Sequence, residues 1–149
     1  MPERVQPAGE TLQFMQRVWD LVHALDVRSK RMVQTIGVTG PQRLVIRLIG
    51  QKGNQTASEI ADMLGKHPST LTGVLARLED RALITRTTDA EDRRRARFNL
   101  TTAGKRIDRE RRGTVEAATR RALIRAGDDK VNDMLAVIAL LIEELDRPD

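Results

Sequence analysis

The clearest hydrophobic pattern in the chain lies between residues 56 and 78 and predicts two short helices joined by a turn. Thr56 and Glu59 have the spacing of a capping box, which satisfies free N–H groups at a helix start. Gly65 provides a turn, and Pro68 suits the first turn of the second helix because no N–H is needed there. Apolar residues in the second helix recur at i, i+3, i+4 and i+7 and form one buried stripe. These residues are Leu71, Val74, Leu75 and Leu78. The pattern is typical of a helix-turn-helix.

A polar and strongly basic segment follows, between two predicted short strands. Residues 83–87 contain β-branched side chains, and residues 97–100 alternate in polarity as a strand does. Residues 88–95 are long enough to form a hairpin tip, or wing, and include three consecutive arginines. These arginines would repel one another unless an anionic partner compensates them, and a narrow minor groove of DNA attracts inserted arginine. The alternative is a solvated charged loop.

Helical periodicity also covers both ends of the chain. A long first helix is predicted to stop at Gly37, and Thr39 with Pro41 marks the start of the next. After the wing, one helix is predicted from 101 to 126, and Asp128 begins the last. The predicted fold class is therefore mainly α with a small β-wing, a winged helix-turn-helix of order α-α-α-α-β-β-α-α, with a minor strand near Gln55.

We predict a single winged-helix chain over residues 1–149, with a DNA-binding head at 39–100. The helices at 10–36 and 101–147 are assigned to dimerisation and bridging, because the last helix carries an apolar seam that the head does not need for its own core. The predicted dimer residues are Leu12, Ile138, Leu141, Ile142 and Leu145. The alternative is that this seam belongs to an internal core.

Four runs of residues carry a resemblance to a known family: Ser-Thr-Leu-Thr at 69–72, Leu-Ala-Arg-Leu-Glu at 75–79, Asp-Ala-Glu-Asp-Arg-Arg at 89–94 and Leu-Thr-Thr-Ala-Gly at 100–104. They resemble the MarR (multiple antibiotic resistance regulator) family of bacterial and archaeal winged-helix transcription regulators. The chain departs from the family at Ala82, where Gly commonly ends the recognition helix. Pro68 beside His67 is a second departure, which bears on operator preference.

The pattern and the resemblance together assign the DNA contacts. The exposed hydroxyl and glycine positions of the second helix are expected to read base edges in the major groove, and basic residues to contact phosphates. The resemblance implies that Arg94 enters the minor groove, with Asp92 holding it in place. The candidate DNA-binding residues are Lys66, His67, Pro68, Ser69, Thr70, Thr72, Gly73, Arg77, Arg86, Asp92, Arg93, Arg94 and Arg95.

The resemblance also implies a homodimer and a small, often anionic aromatic effector bound between the dimer helices and the head. Candidate effector residues are Phe14, Trp19, His23 and Arg43. The alternative is that Phe14 and Trp19 are core or dimer residues.

Composition narrows the function classes. The net charge is +5, but residues 77–125 hold fifteen Lys or Arg against eight Asp or Glu, whereas residues 128–149 hold two against seven. This polarity suits one surface for nucleic acid and another kept away from it. There is no cysteine and there are only two histidines, so no metal site or cofactor is predicted, and no phosphate-binding loop marks an enzyme. Without a secretory signal or an apolar span, a cytoplasmic location is expected.

The sequence thus predicts a sequence-specific DNA-binding regulator, a ligand-responsive homodimeric repressor at a pseudo-palindromic operator. Two other hypotheses share its features. An architectural DNA-binding protein would have the same basic face but little sequence preference, and a protein–protein interaction module would show negligible salt-dependent DNA binding.

Overall fold

The computed structural model describes residues 8–65 and 68–148, which form two compact units divided between Thr114 and Val115. In this described part the elements follow one another as seven helices and three strands. The first unit contains α1 (Ala8–Thr35), α2 (Gly40–Lys52), β1 (Gln55–Thr56), α3 (Ala57–Met63), α4 (Pro68–Asp80), β2 (Ile84–Thr88), β3 (Ala96–Leu100) and α5 (Thr102–Arg109). The second unit contains α6 (Val115–Ala126) and α7 (Asp128–Asp146).

The starts of α2 and α3 are fixed by local hydrogen bonds, as the sequence predicts. At α3, the Thr56 hydroxyl accepts the N–H of Glu59, and the Glu59 carboxylate accepts the N–H of Thr56 at 2.8 Å. That backbone hydrogen bond lowers the pKa of Glu59. At α2, Thr39 and Gln42 form the same reciprocal pair. Each of these two helix starts therefore has two of its free N–H groups satisfied by its own capping pair.

The three strands form one small antiparallel sheet of order β1-β3-β2. Phe98 lies at its centre, opposite Gln55 of β1 and Arg86 of β2. The predicted wing hairpin and the predicted strand near Gln55 are both present. Because β1 immediately precedes α3, the sheet ties the wing to the first helix of the helix-turn-helix.

The hydrophobic core lies in the first unit and joins α2, α3, α4 and the wing strands. The buried stripe of α4 contributes Leu71, Leu75 and Leu78, and Val74 is partly buried beside it. The other buried apolar residues of this core are Val38, Val45, Ile46, Ile49, Ile60, Leu83, Ile84 and Phe98. This packing sets which face of α4 is left for solvent.

One helix prediction is wrong. The sequence pattern predicts a continuous helix over 101–126, whereas the structure has α5 and α6 separated by five residues. Thr101 caps α5 as predicted, but the helix ends at Glu110, whose backbone is extended. Gly113, between the two helices, has φ +73°, a left-handed conformation that glycine adopts without steric penalty. None of the described helices is long and apolar enough to cross a membrane.

Candidate nucleic-acid interface

The outer face of α4 carries mostly short side chains and is open to solvent. Because Leu71, Leu75 and Leu78 point into the core, Thr72, Gly73, Ala76 and Arg77 are exposed. Nothing within 4 Å would contact a Cβ at Gly73. A helix with one hydroxyl, two small residues and a basic end can approach the floor of a major groove closely.

The start of α4 carries the remaining predicted contacts of this helix. The described backbone places Pro68, Ser69 and Thr70 in its first turn. Their side chains, and all of Lys66 and His67, lie outside the described residues.

The end of α4 is a Schellman motif with an unusual residue. Leu83 donates its N–H to the carbonyl of Leu78 at 2.9 Å, and Ala82 donates to Glu79 at 2.8 Å. Ala82 takes the left-handed position with φ +54°, where glycine carries no steric penalty. The replacement of the usual glycine by Ala82 therefore does not prevent the Schellman motif, which forms here with alanine in the left-handed position.

The wing is organised by Asp89, a residue that the sequence analysis did not select. Its side chain is 6% exposed, and its Oδ1 accepts the N–H groups of Glu91 at 2.8 Å and Asp92 at 3.0 Å. Its Oδ2 accepts the Nε–H of Arg97. The N–H of Asp92, the N–H of Glu91 and the Arg97 guanidinium together lower the pKa of Asp89 from 3.8 to about 2. An Asp side chain that accepts the backbone N–H two residues later forms an Asx turn. An Asp at the start of a polar loop, as at Asp89, is the sequence feature from which this turn could have been predicted.

Arg97 connects the wing to the rest of the head. Besides binding Asp89, it donates from Nη1 to the carbonyl of Asn54 at 2.8 Å and lies 4.0 Å from the carboxylate of Glu59. Asn54 directly precedes β1, and Glu59 caps α3. The wing tip is thus fixed to the helix-turn-helix through one arginine.

Asp92 lies at the tip and contacts two of the three arginines. Its Oδ1 accepts the backbone N–H of Arg94 at 3.0 Å, and its Oδ2 lies 3.5 Å from Nε of Arg95. The side chains of Arg93, Arg94 and Arg95 are all exposed. Asp92 therefore contacts Arg94 through the backbone of the turn, and the ion pair is with Arg95.

An open cleft of about 550 Å3 lies between the helix-turn-helix and the wing. It brings together Thr72 and Ala76 of α4, Arg86 of β2, and Arg94 and Arg95 of the wing tip. Arg97 and the carboxylates of Glu59, Asp62 and Glu79 also line it. One predicted base-reading residue (Thr72), one predicted phosphate contact (Arg86) and the predicted minor-groove residue (Arg94) therefore share one concave surface, whereas Gly73, Arg77 and Arg93 are not among its lining residues.

The four predicted effector residues are not brought together. Phe14, Trp19 and His23 are exposed on α1. Arg43 is only 1% exposed and donates its guanidinium N–H groups to the carbonyls of Ile107, Asp108 and Glu110. The assignment of Arg43 to an effector pocket is corrected for this reason: its donors are directed to the end of α5.

The predicted dimer residues lie on exposed apolar faces of both units. Leu12 of α1 is exposed, as are Ile138, Ile142 and Leu145 of α7, whereas Leu141 is half-buried. Other large apolar side chains of α7 are also exposed, among them Met134, Leu135 and Leu140. Exposed apolar faces of this extent are uncommon on monomeric proteins.

Part of the chain matches a known protein family and several transcription regulators. Residues 38–96 match the model of the MarR family. FarR of Neisseria gonorrhoeae, an HTH-type transcriptional regulator, is 29% identical over 87 residues, which cover 58% of this chain and 60% of FarR. YfiV of Bacillus subtilis (strain 168), an HTH-type transcriptional regulator, is 38% identical over 69 residues, 46% of this chain and 43% of YfiV. The matches thus span about half the length of these curated relatives.

A solved structure extends the likeness beyond the head. The S. aureus MepR–DNA complex superposes with a TM-score of 0.71 at 21% identity, and the match covers 90% of this chain and 97% of that chain. At this identity the likeness shows the fold. The family model, the relatives and the fold agree with the helix-turn-helix and wing described above: the chain has a winged-helix fold, and its residues 38–96 are similar to the MarR family.

Proposed function

We propose that this chain is a sequence-specific DNA-binding transcription regulator, a homodimer that represses from a pseudo-palindromic operator. The observation that carries the proposal is the shared cleft: the exposed face of α4 and the arginines of the wing line one surface. On such a surface the recognition helix can lie in the major groove while a wing arginine enters the adjacent minor groove. The phosphate backbone between the two grooves then lies along the cleft.

The two parts of the surface have different tasks. Thr72 and Gly73 would enter the major groove with Ser69 and Thr70, where hydroxyls bond base edges and glycine permits close approach. Arg77 and Arg86 would bind phosphates, and Arg94 the minor groove. Base contacts then supply sequence preference, and arginine contacts supply affinity that falls with salt.

The dimer is supported by the apolar faces of α1 and α7. A single chain leaves Leu12, Ile138, Ile142 and Leu145 in water, and a second copy has the same surface to offer in return. Two recognition helices related by a two-fold axis would read half-sites about 10 bp apart, one turn of B-DNA.

An effector site on α1 remains a proposal with a direct test. Trp19 and His23 are exposed and lie one helical turn apart, and Trp19 is the only tryptophan in the chain. Fluorescence of Trp19 during titration with anionic aromatic compounds such as salicylate should report binding without background from other tryptophans. An unchanged spectrum at millimolar salicylate, together with unchanged operator affinity, counts against this site.

The main experiment is selection of bound duplexes from a random library, followed by affinity measurement for the selected palindrome and for random duplex. A regulator should prefer its operator by roughly 10³-fold or more at physiological salt. Affinity should also fall with salt at about −0.9 in log–log slope for each neutralised phosphate. A ratio near one with a steep salt slope would indicate an architectural protein, and the absence of salt-dependent binding would indicate a protein–protein module.

A further inference from the structure

The C-terminal end of α5 is bound to α2 by two arginines. Arg43 is buried, and it donates to the carbonyls of Ile107 and Glu110 and, at 3.4 Å, to that of Asp108. A buried cation that binds the last carbonyls of a helix compensates the negative end of the helix dipole. One side chain of α2 thus defines where α5 ends.

The second arginine lies one turn further along α2. Arg47 Nη1 lies 2.7 Å from Oδ1 of Asp108, and both side chains are partly buried, with exposures of 28% and 19%. Gly50 follows on the same face, and a Cβ placed there would lie only 2.7 Å from Oδ2 of Asp108. Arg43, Arg47 and Gly50 recur at i, i+4 and i+7, so a single stripe of α2 holds Asp108 and the carbonyls beside it.

The five residues between α5 and α6 begin at this contact. The carboxylate of Glu110 accepts the N–H groups of Arg111 and Arg112, each at 2.9 Å. The Thr114 hydroxyl donates to the carbonyl of Arg111 at 3.1 Å. The connection is therefore short and internally hydrogen-bonded, and the position of its first residue is set by α2.

We propose that Arg43, Arg47 and Asp108 determine the half-site spacing that the dimer selects. This inference rests on the proposed function, a dimer that reads two half-sites. In such a dimer each head is attached to α6 and α7 through residues 110–114, while at its other end it continues directly from α1. If the connection to α6 begins at one fixed point of the head, the second head of the dimer has a high effective concentration at one half-site spacing and a low one at other spacings.

A loosened connection has a distinct consequence. The recognition helix and the wing are unchanged, so affinity for a single half-site stays the same. The second head then samples several positions, so the palindrome of preferred spacing loses affinity while palindromes of other spacings lose less or gain. A purely structural role for these residues would instead lower binding to every duplex in proportion to the fraction of protein unfolded.

The variants are Arg47→Gln and Gly50→Ala. Arg47→Gln removes the ion pair to Asp108 without touching the buried Arg43. Gly50→Ala displaces the Asp108 carboxylate while favouring the helix at an exposed position, so it should not reduce stability through α2 itself. Arg47→Lys keeps the charge, and Arg125→Gln removes the same charge from an exposed position of α6.

Affinity is measured for one isolated half-site and for palindromes whose spacing is varied in single base pairs, alongside thermal unfolding of each variant. We expect Arg47→Gln and Gly50→Ala to reduce the ratio between the best and the neighbouring spacings by about 5- to 150-fold, the usual range of coupling between distant sites. Half-site affinity should remain within about twofold of wild type, Arg47→Lys should be intermediate and Arg125→Gln should match wild type.

Two failures are distinguishable. If wild type itself prefers no palindrome over random duplex, the proposed function fails. If wild type is selective and a folded Arg47→Gln or Gly50→Ala keeps the wild-type spacing profile, the inference about spacing is wrong. Should Arg47→Gln not fold, the profile of Gly50→Ala decides the question.

Discussion

The substitution of Asp92 separates geometry from charge in the wing. Asp92 accepts the N–H of Arg94 at 3.0 Å and lies 3.5 Å from Nε of Arg95. Asp92→Ala removes the negative charge and the hydrogen-bond acceptor together. Asp92→Asn removes the same charge but keeps an oxygen that can accept the N–H of Arg94. The pair of variants therefore isolates the contribution of the turn hydrogen bond to DNA binding.

The two effects have opposite signs. Loss of an exposed negative charge beside DNA strengthens binding by about 0.2–1 kcal/mol, or roughly 1.4- to 5-fold, equally for both variants. Loss of the turn hydrogen bond weakens binding in Asp92→Ala alone, by about 0.5–1.5 kcal/mol or roughly 2- to 13-fold, because the tip must be ordered on the DNA. We thus expect Asp92→Asn to bind the operator at least as tightly as wild type, and Asp92→Ala to bind 2- to 13-fold more weakly than Asp92→Asn.

Fluorescence anisotropy with a labelled operator at fixed salt measures both variants beside Arg94→Ala. Arg94→Ala should weaken binding most, with a smaller salt slope and an unchanged order of preference among major-groove variants of the operator. If Asp92→Ala binds the operator as tightly as Asp92→Asn, then Asp92 acts through its charge alone and its hydrogen bond to Arg94 contributes nothing to DNA binding.

Three further changes test the dimer, the α4 cap and the base of the wing. Ile142→Glu changes a side chain that is 55% exposed in one chain, so it should dissociate dimers at micromolar concentration in sedimentation runs, while Asn132→Glu on the same helix should not. Ala82→Gly removes the steric strain of a left-handed alanine, about 1–2 kcal/mol, but increases the conformational entropy of the unfolded chain, which costs about 0.4–1 kcal/mol. Thermal unfolding should therefore show a free energy of unfolding higher by roughly 0.5–1 kcal/mol. The pKa of Asp89 is about 2 in the folded chain against 3.8 ordinarily, so its stabilisation is complete above pH 3.8 and lost as the pH falls toward 2. Acid unfolding of Asp89→Asn should lack that part of the pH dependence.

Features fixed by neighbouring residues could be predicted from the sequence. The capping pairs at Thr39 and Thr56 lie within three residues of their partners, and the stripe of α4 is a local periodicity. Both give the correct helix starts and the correct outward face. The α5–α6 break could not be predicted in the same way, because the carbonyls that end α5 are bound by Arg43, 64 to 67 positions away.

The site divides along the same line. The exposure of Thr72 and Arg77 follows from the α4 stripe alone. The role of Arg97 depends on the register of β3, which places it beside both Asp89 and the turn at Asn54. A sequence pattern treats Arg97 as one more alternating residue of a strand. Tertiary hydrogen bonds of this kind require the folded partner before they can be assigned.

The arginines of the head therefore serve two purposes that their sequence context does not separate. Arg43, Arg47 and Arg97 bond carbonyls or carboxylates of distant segments and fix α5 and the wing. Arg86 and Arg94 are exposed in the cleft, where an anion can reach them. The first group lowers the entropy that the second must lose on binding DNA, since a wing already anchored through Arg97 needs little further ordering. The net positive charge therefore overestimates the number of arginines available to bind DNA, because some of them hold the DNA-binding surface in place.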